Sequence, residues 1–154
     1  MIVVHGPGAR GLRGGCMRNA SVSALVLGIA VFGVAVAANE KPTAEFQSLM
    51  KANGAANGAI RKAVPARDYD IVAANAITLK DNYAKIEAFF AARSANDAVE
   101  SARTGGKAAA DLEIAAKAKD DAAMETASKA LGGTCAGCHT AHRDQLPDKT
   151  YEIK

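Results

Sequence analysis

The sequence predicts an all-α protein that folds as an antiparallel, up-down-up-down four-helix bundle. The chain is rich in alanine, the best helix former, and β-branched residues are few beyond the N-terminal segment. Apolar side chains recur at three- and four-residue steps in four successive segments joined by short connections. No segment shows the alternation that is typical of a half-buried strand. With 154 residues, the chain has the size of one domain.

The N-terminal segment predicts an export signal. Residues 20–36 form an uncharged apolar run that ends in small side chains of the kind that a signal peptidase reads. Three arginines precede this run: Arg10, Arg13 and Arg18. We expect residues 1–37 to be a signal peptide cleaved after Ala37, with 38–154 as the mature domain and Met17 as a second candidate for the start of translation. The alternative is a retained membrane anchor, because 17 apolar residues lie at the lower limit for a spanning helix.

The charge of the mature domain argues against nucleic acid as a partner. The formal charge of +3 comes from the leader arginines, because residues 38–154 carry 16 basic and 16 acidic side chains. Binding to phosphates needs a clustered positive face, which a neutral domain does not predict. Cys16 also belongs to the leader, which leaves two cysteines in a compartment that oxidises thiols.

The first two helices follow from capping residues and helical periodicity. Thr43 is the predicted N-cap of the first helix, which ends at Val64 because Pro65 stops it. Its inward face carries Phe46, Leu49, Met50, Asn53, Asn57 and Ile60. Residues 68–70, Asp-Tyr-Asp, offer an acidic cap for a second helix that runs to Phe90. Its inward face carries Ile71, Asn75, Leu79, Asn82, Tyr83, Ile86 and Phe90.

The third and fourth helices are predicted in the same way. The third begins within residues 94–97, and the glycines of 104–106 weaken its middle. Its inward face carries Val99, Ala102, Ala109, Leu112 and Ala116. The fourth is capped by Asp120 or Asp121 and ends at 146–148, and the last six residues form an extended tail. Its inward face carries Met124, Ala127, Leu131, Cys135, Cys138 and His139.

The run Cys135-Ala136-Gly137-Cys138-His139 is the attachment signature of a c-type haem. Cysteines three positions apart lie on one face of a helix, so both sulfurs can reach the vinyl groups of one porphyrin. The histidine that follows can turn its imidazole to the iron. Alanine-rich helix faces bury little apolar area, and a haem would also fill the middle of the bundle. We predict one covalently bound haem c near the C-terminal helix, attached by Cys135 and Cys138, with His139 as an iron ligand.

Two other chemistries use cysteine pairs of this kind. A dithiol–disulfide exchange site usually opens a helix in an α/β unit, where the helix dipole lowers the thiol pKa, whereas this motif lies near the end of the last predicted helix. A zinc site needs two more ligands, and His5, His139 and His142 supply too few in suitable places.

Met50 is the candidate for the second iron ligand. In an up-down-up-down bundle, the first helix starts at the end where the fourth finishes. Met50 lies seven residues after Thr43, about 10 Å along the helix at ~1.5 Å per residue, and His139 lies at a similar distance from the predicted end of the fourth helix. The two side chains are therefore expected to face each other across the haem. Met124, in contrast, lies on the haem-bearing helix itself.

Both ends of the domain resemble one family. A Cys-x-x-Cys-His motif on the last of four helices is similar to the class II cytochromes c, the cytochrome c-prime family. The run Phe-Gln-Ser-Leu-Met-Lys-Ala-Asn-Gly at 46–54 resembles the first helix of the family's low-spin branch, in which the methionine in this Leu-Met-Lys context ligates iron. Arg143, four residues after His139, matches a basic position common in the family. It is a candidate contact for a haem propionate, and the alternative is an ordinary cation at a helix C-terminus.

The resemblance implies a periplasmic one-electron carrier rather than an enzyme, with six-coordinate iron held by His139 and Met50. The alternative within the family is a high-spin protein that binds nitric oxide or carbon monoxide at five-coordinate iron. The implied partners are redox proteins that the sequence does not identify. After cleavage no stable membrane anchor is expected, and the family allows a homodimer formed through the first two helices.

Two features depart from the family pattern. His142 stands where the family often has an aromatic residue, and we expect its side chain to be exposed to solvent. The stretch between Phe90 and Cys135 is short, which predicts a third helix that is truncated or merged with its loop.

Overall fold

The computed structural model describes residues 39–154, so the predicted signal peptide lies outside the described residues. Four helices form most of this part of the chain: α1 spans Ala44–Ala66, α2 Tyr69–Ala91, α3 Asn96–Ala118 and α4 Asp121–His142. Two short strands follow, β1 at Arg143–Gln145 and β2 at Tyr151–Ile153. The predicted all-α, antiparallel four-helix bundle is confirmed.

The helices pack in a ring. Each one contacts its neighbour in chain order, and α1 closes the ring against α4. Connections of two to four residues make consecutive helices run in opposite directions. The contact between α1 and α4 is the sparsest of the four, which leaves space between these two helices. No helix within residues 39–154 has the length and apolar character needed to cross a bilayer.

Three of the four helices begin at a side-chain cap within the predicted acidic or hydroxyl-bearing segments, and the structure selects Asp68 from residues 68–70 and Asp120 over Asp121. Thr43, Asp68 and Asp120 each accept a hydrogen bond from the backbone N–H three residues ahead, at 3.2, 3.1 and 3.0 Å. These contacts satisfy N–H groups that have no partner in the first turn of a helix. The capping residues therefore set where α1, α2 and α4 start.

The predicted end of α1 is wrong by two residues. Pro65 lies inside the last turn of α1, and the helix continues to Ala66. A proline this close to the end removes only one helical N–H bond. Arg67 then adopts the left-handed conformation (φ 56°), and its N–H contacts the Val64 carbonyl at 3.1 Å, which closes the helix.

The prediction of a truncated third helix is also wrong, because α3 runs without a break for 23 residues. All five of its predicted inward residues are buried. Gly105 and Gly106 both lie within the helix, and Gly105 is buried against the ring of Tyr83. Packing at this glycine offsets its low helix propensity.

The predicted face of α2 is correct over most of its length. Its first turn differs, because Ile71 is 44% exposed while Val72 and Ala76 are fully buried. The inward stripe therefore starts one residue later than predicted. From Leu79 to Phe90 the predicted positions are buried.

The C-terminal segment forms a hairpin, and this corrects two predictions. α4 ends at His142 rather than at 146–148, and the last residues pair as a strand rather than forming a free extended tail. β1 runs antiparallel to β2, with Asp144 opposite Glu152. Arg143 is consequently the first residue of a strand, with extended backbone, and does not lie on the helix.

The hairpin is fixed at its turn and along its outer edge. Asp148 accepts hydrogen bonds from the backbone N–H and the hydroxyl of Thr150 at the turn. Ile153 exchanges two backbone hydrogen bonds with Glu40, of 2.8 and 3.0 Å, and its side chain is buried. The segment before α1 therefore pairs with the last strand at the same end of the bundle where α4 finishes.

Candidate functional site

A cavity of about 450 Å³ is lined by residues of all four helices and of the hairpin. This volume lies in the ~300–1,000 Å³ range that is typical of cofactor sites. All the residues that the sequence singled out line it: Met50, Cys135, Cys138, His139 and Arg143. The remaining wall is mainly apolar, with Phe46, Ile86 and Phe90 among its side chains. Residues from both ends of the domain therefore meet in one cavity.

The two cysteines are free thiols, half-buried and one turn apart on α4. Burial raises the pKa of the Cys138 thiol, and the nearby Cys135 and Asp97 raise it further. The Cys135 sulfur lies 3.3 Å from the hydroxyl of Tyr83 on α2, within hydrogen-bond distance. Both thiols thus reach the cavity from the same helix face, as their spacing predicted.

His139 is half-buried in the same wall. Burial lowers the pKa of its imidazole, and the positive charge of Arg143 lowers it further. The neutral form is therefore favoured at physiological pH. A neutral imidazole keeps a lone pair that can bind a metal.

Met50 lines the same cavity from α1. Its side chain is half-buried and packs on the same helix face as Phe46 and Asn53, both of which are buried. The predicted distance of His139 from the end of the fourth helix assumed that this helix ends at 146–148. The helix ends earlier, yet His139 and Met50 line the same cavity. The hairpin, rather than further turns of α4, follows His142 at this end of the bundle.

Arg143 lies at the rim of the cavity, where its guanidinium group is 4.2 Å from the centre of the Tyr151 ring. This stacking holds the cation beside the hairpin. The positive charge of Arg143 lowers the pKa of His139. Because the residue is exposed, its guanidinium group can also contact an anion at the rim.

Sequence reasoning missed the contribution of the hairpin to the cavity. Tyr151, Glu152 and Ile153 line it, although the sequence predicted only a tail here. The sequence signal for the second strand was the alternation Tyr-Glu-Ile after a Pro-Asp turn. An alternation of three residues is too short to distinguish a strand from an unstructured end.

His142 was expected to be exposed, and this expectation is wrong. Only 11% of its side chain is accessible, and its Nε2 lies 3.4 Å from a carboxylate oxygen of Asp97 on α3. Its ring also packs 5.8 Å from that of Phe90. His142 therefore joins α4 to α2 and α3 at the wall of the cavity.

Buried amides form part of the cavity wall on α1. Asn53 and Asn57 both line the cavity, and their side-chain oxygens are buried without a hydrogen-bond partner among the described residues. Such an atom is costly to leave unpaired. The wall therefore combines apolar side chains with polar groups that can meet a ligand.

Within residues 39–154, no group of three or more His, Cys, Asp or Glu side chains is placed to hold a metal ion. The zinc alternative thus finds no complete ligand set in this part of the chain.

Comparison with models of protein families found no match. Searches of curated proteins and of solved structures found no significant match either.

Proposed function

We propose that this protein is an exported monohaem c-type cytochrome that carries one electron at a time. One observation carries the proposal: Met50 from the first helix lines the same 450 Å³ cavity as the complete Cys-x-x-Cys-His motif at the end of the last helix. Two thiols, an imidazole and a thioether are the groups that attach and ligate a haem c. These groups lie near opposite ends of the domain, and the fold brings them into one cavity.

The residues of the cavity fit such a group. Cys135 and Cys138 are free thiols on one helix face, suited to hold the ring at its vinyl edge. His139 is favoured in its neutral form, and Met50 offers a soft sulfur from α1. Phe46, Ile86 and Phe90 belong to the wall and exclude water. When bound, haem c supplies a one-electron couple between ferric and ferrous iron.

The thiols are poorly suited to the alternative of disulfide exchange. Exchange sites depend on a lowered thiol pKa, which a helix N-terminus or a nearby cation provides. Here burial raises the pKa of Cys138, and the motif lies in the last turns of α4. These features support haem attachment over dithiol chemistry.

Met50 favours a carrier over a gas-binding protein. Iron with histidine and methionine ligands is coordinatively full, and the methionine raises the reduction potential. In the high-spin alternative, the sixth position is left empty for nitric oxide or carbon monoxide. A centre that exchanges electrons without binding substrate is a carrier rather than an enzyme. Its partners would be redox proteins of the periplasm, where c-type haem is attached.

The test is the ferric absorption spectrum of the protein secreted by a host able to attach c-type haem. We expect the far-red sulfur-to-iron band in the unsubstituted protein and its loss in Met50→Ala, which should then take up carbon monoxide readily. Met124→Leu is the matched control, because Met124 is fully buried and does not line the cavity. A five-coordinate spectrum in the unsubstituted protein would favour the gas-binding alternative.

A further inference from the structure

The hydroxyl of Tyr83 contacts the sulfur of Cys135, and neither the motif nor the proposed electron transfer accounts for this contact. The two atoms are 3.3 Å apart, and either can donate the hydrogen bond. Tyr83 is 7% exposed and lines the cavity beside both cysteines. Burial raises the pKa of Tyr83 above its ordinary value, and the contact with Cys135 adds to the shift. The phenol is therefore protonated at physiological pH.

Gly105 on α3 provides the space that this tyrosine occupies. A Cβ atom at position 105 would lie 2.4 Å from Cε1 and Cζ of the Tyr83 ring, closer than side-chain carbons approach. At Gly106 the nearest contact of a Cβ, to Cβ of Tyr83, would be an ordinary 3.5 Å. Glycine is disfavoured in a helix interior. Its presence at 105 allows the ring to lie flat against α3 and the hydroxyl to reach α4.

We propose that Tyr83 is a positioning residue that holds the sulfur of Cys135 as a free thiol and disfavours a disulfide with Cys138. Cysteines one helical turn apart can close a disulfide when their sulfurs turn towards each other to about 2 Å. That movement takes the Cys135 sulfur from Tyr83 and leaves a buried hydroxyl without its partner. The free dithiol is stabilised relative to the disulfide by the same contact.

The benefit of keeping Cys135 and Cys138 as free thiols rests on the proposed function, haem attachment. An exported chain meets an oxidising compartment, and a disulfide between Cys135 and Cys138 would remove both attachment groups. The thiol–disulfide equilibrium itself can be measured without haem.

The experiment uses the full chain made by cell-free translation, which attaches no haem. Cys16 is replaced by serine in every variant, so that Cys135 and Cys138 are the only thiols that can be oxidised. The chain is equilibrated with reduced and oxidised glutathione: two thiols of the chain give up two electrons and two protons, and one glutathione disulfide becomes two molecules of glutathione. Remaining thiols are alkylated and counted by mass.

Tyr83→Phe removes only the hydroxyl oxygen and keeps the ring against Gly105. We expect it to shift the equilibrium constant towards the disulfide by up to about fivefold, the ratio for one ordinary hydrogen bond, because sulfur is a weaker hydrogen-bonding atom than oxygen. Gly105→Ala keeps the hydroxyl but displaces the ring, and it should shift the constant in the same direction. Circular dichroism establishes that each variant keeps its helices.

Two matched controls make the same substitutions at other positions. Tyr69→Phe deletes a hydroxyl that contacts Asp121 at 3.0 Å, and Gly106→Ala adds a methyl group in ordinary contact. Neither should change the constant. Equal constants in the unsubstituted chain and Tyr83→Phe would overturn the proposal, as would an equal shift in Tyr69→Phe. A secreted protein that carries no haem would refute the proposed function. It would not change the measured thiol–disulfide equilibrium, which tests the role of Tyr83 separately.

Discussion

His139 and Arg143 illustrate how neighbouring side chains set the chemistry of the cavity. Their four-residue spacing suggested neighbours on one helix, but Arg143 begins a strand and reaches His139 from the rim. Burial is the larger cause of the lowered imidazole pKa, and the Arg143 charge is the smaller one. Both disfavour the imidazolium form, so the neutral imidazole persists to a lower pH than in a free histidine.

We expect Arg143→Gln to raise the pKa of His139 in the haem-free protein. The substitution removes the positive charge that opposes protonation, while burial still keeps the pKa below its ordinary value. Titration of the imidazole carbon resonances by NMR measures the shift. Arg93→Gln is the control, because Arg93 pairs with Glu40 and stacks on Phe89. A His139 pKa unchanged in Arg143→Gln would contradict the assigned cause.

The sequence predicted the helix face of the candidate residues better than their contacts with other helices. Periodicity places Cys135, Cys138 and His139 on one face of α4 whatever the rest of the bundle does. The contact of Tyr83 with Cys135 and the burial of His142 depend on how α2, α3 and α4 rotate against each other. That rotation follows from packing across the core, which spacing along one helix does not contain.

At the scale of elements, α3 and the C-terminal hairpin differ most from expectation. The paired glycines of α3 predicted a weak middle, because propensity counts both as unfavourable. The structure separates them: Gly105 is buried against an aromatic ring and Gly106 is not. Propensity alone could not distinguish a glycine required by packing from one that packing tolerates.

The two glycines should therefore respond to alanine with opposite signs. Gly105→Ala forces a methyl group into the Tyr83 ring and should lower the free energy of unfolding by about 1–3 kcal/mol, the usual cost of overpacking. Gly106→Ala meets no close contact and should raise it by up to ~1 kcal/mol through helix propensity. Urea unfolding followed by circular dichroism measures both. A stabilised Gly105→Ala would show that the ring is not held as described.

The hairpin should contribute to stability through Ile153. Its side chain is buried in the core, so Ile153→Ala should cost about 2–5 kcal/mol of unfolding free energy. Ile114→Ala is the control, because Ile114 is 66% exposed and its loss should change stability by less than ~0.5 kcal/mol. The same urea unfolding experiment compares them. Equal effects would mean that the last strand does not pack against the bundle.

At the scale of the whole molecule, bundle topology explains why candidate residues from both ends of the domain line one cavity. Antiparallel helices with short connections bring the start of α1 and the end of α4 to the same end, which places Met50 and His139 in one cavity. The hairpin at that end of the bundle was not predictable from the sequence. β2 pairs with both β1 and Glu40, and a three-residue strand is too short for its sequence to indicate pairing with distant residues.

Covalent haem attachment is the central claim, and the mass of the secreted protein tests it most directly. The protein is produced in a host able to attach c-type haem, then denatured and extracted with acidified organic solvent before mass measurement. We predict a polypeptide heavier by one haem, and a Cys135→Ala, Cys138→Ala double variant at the mass of the bare chain. A secreted unsubstituted protein at the mass of the bare chain would contradict the account.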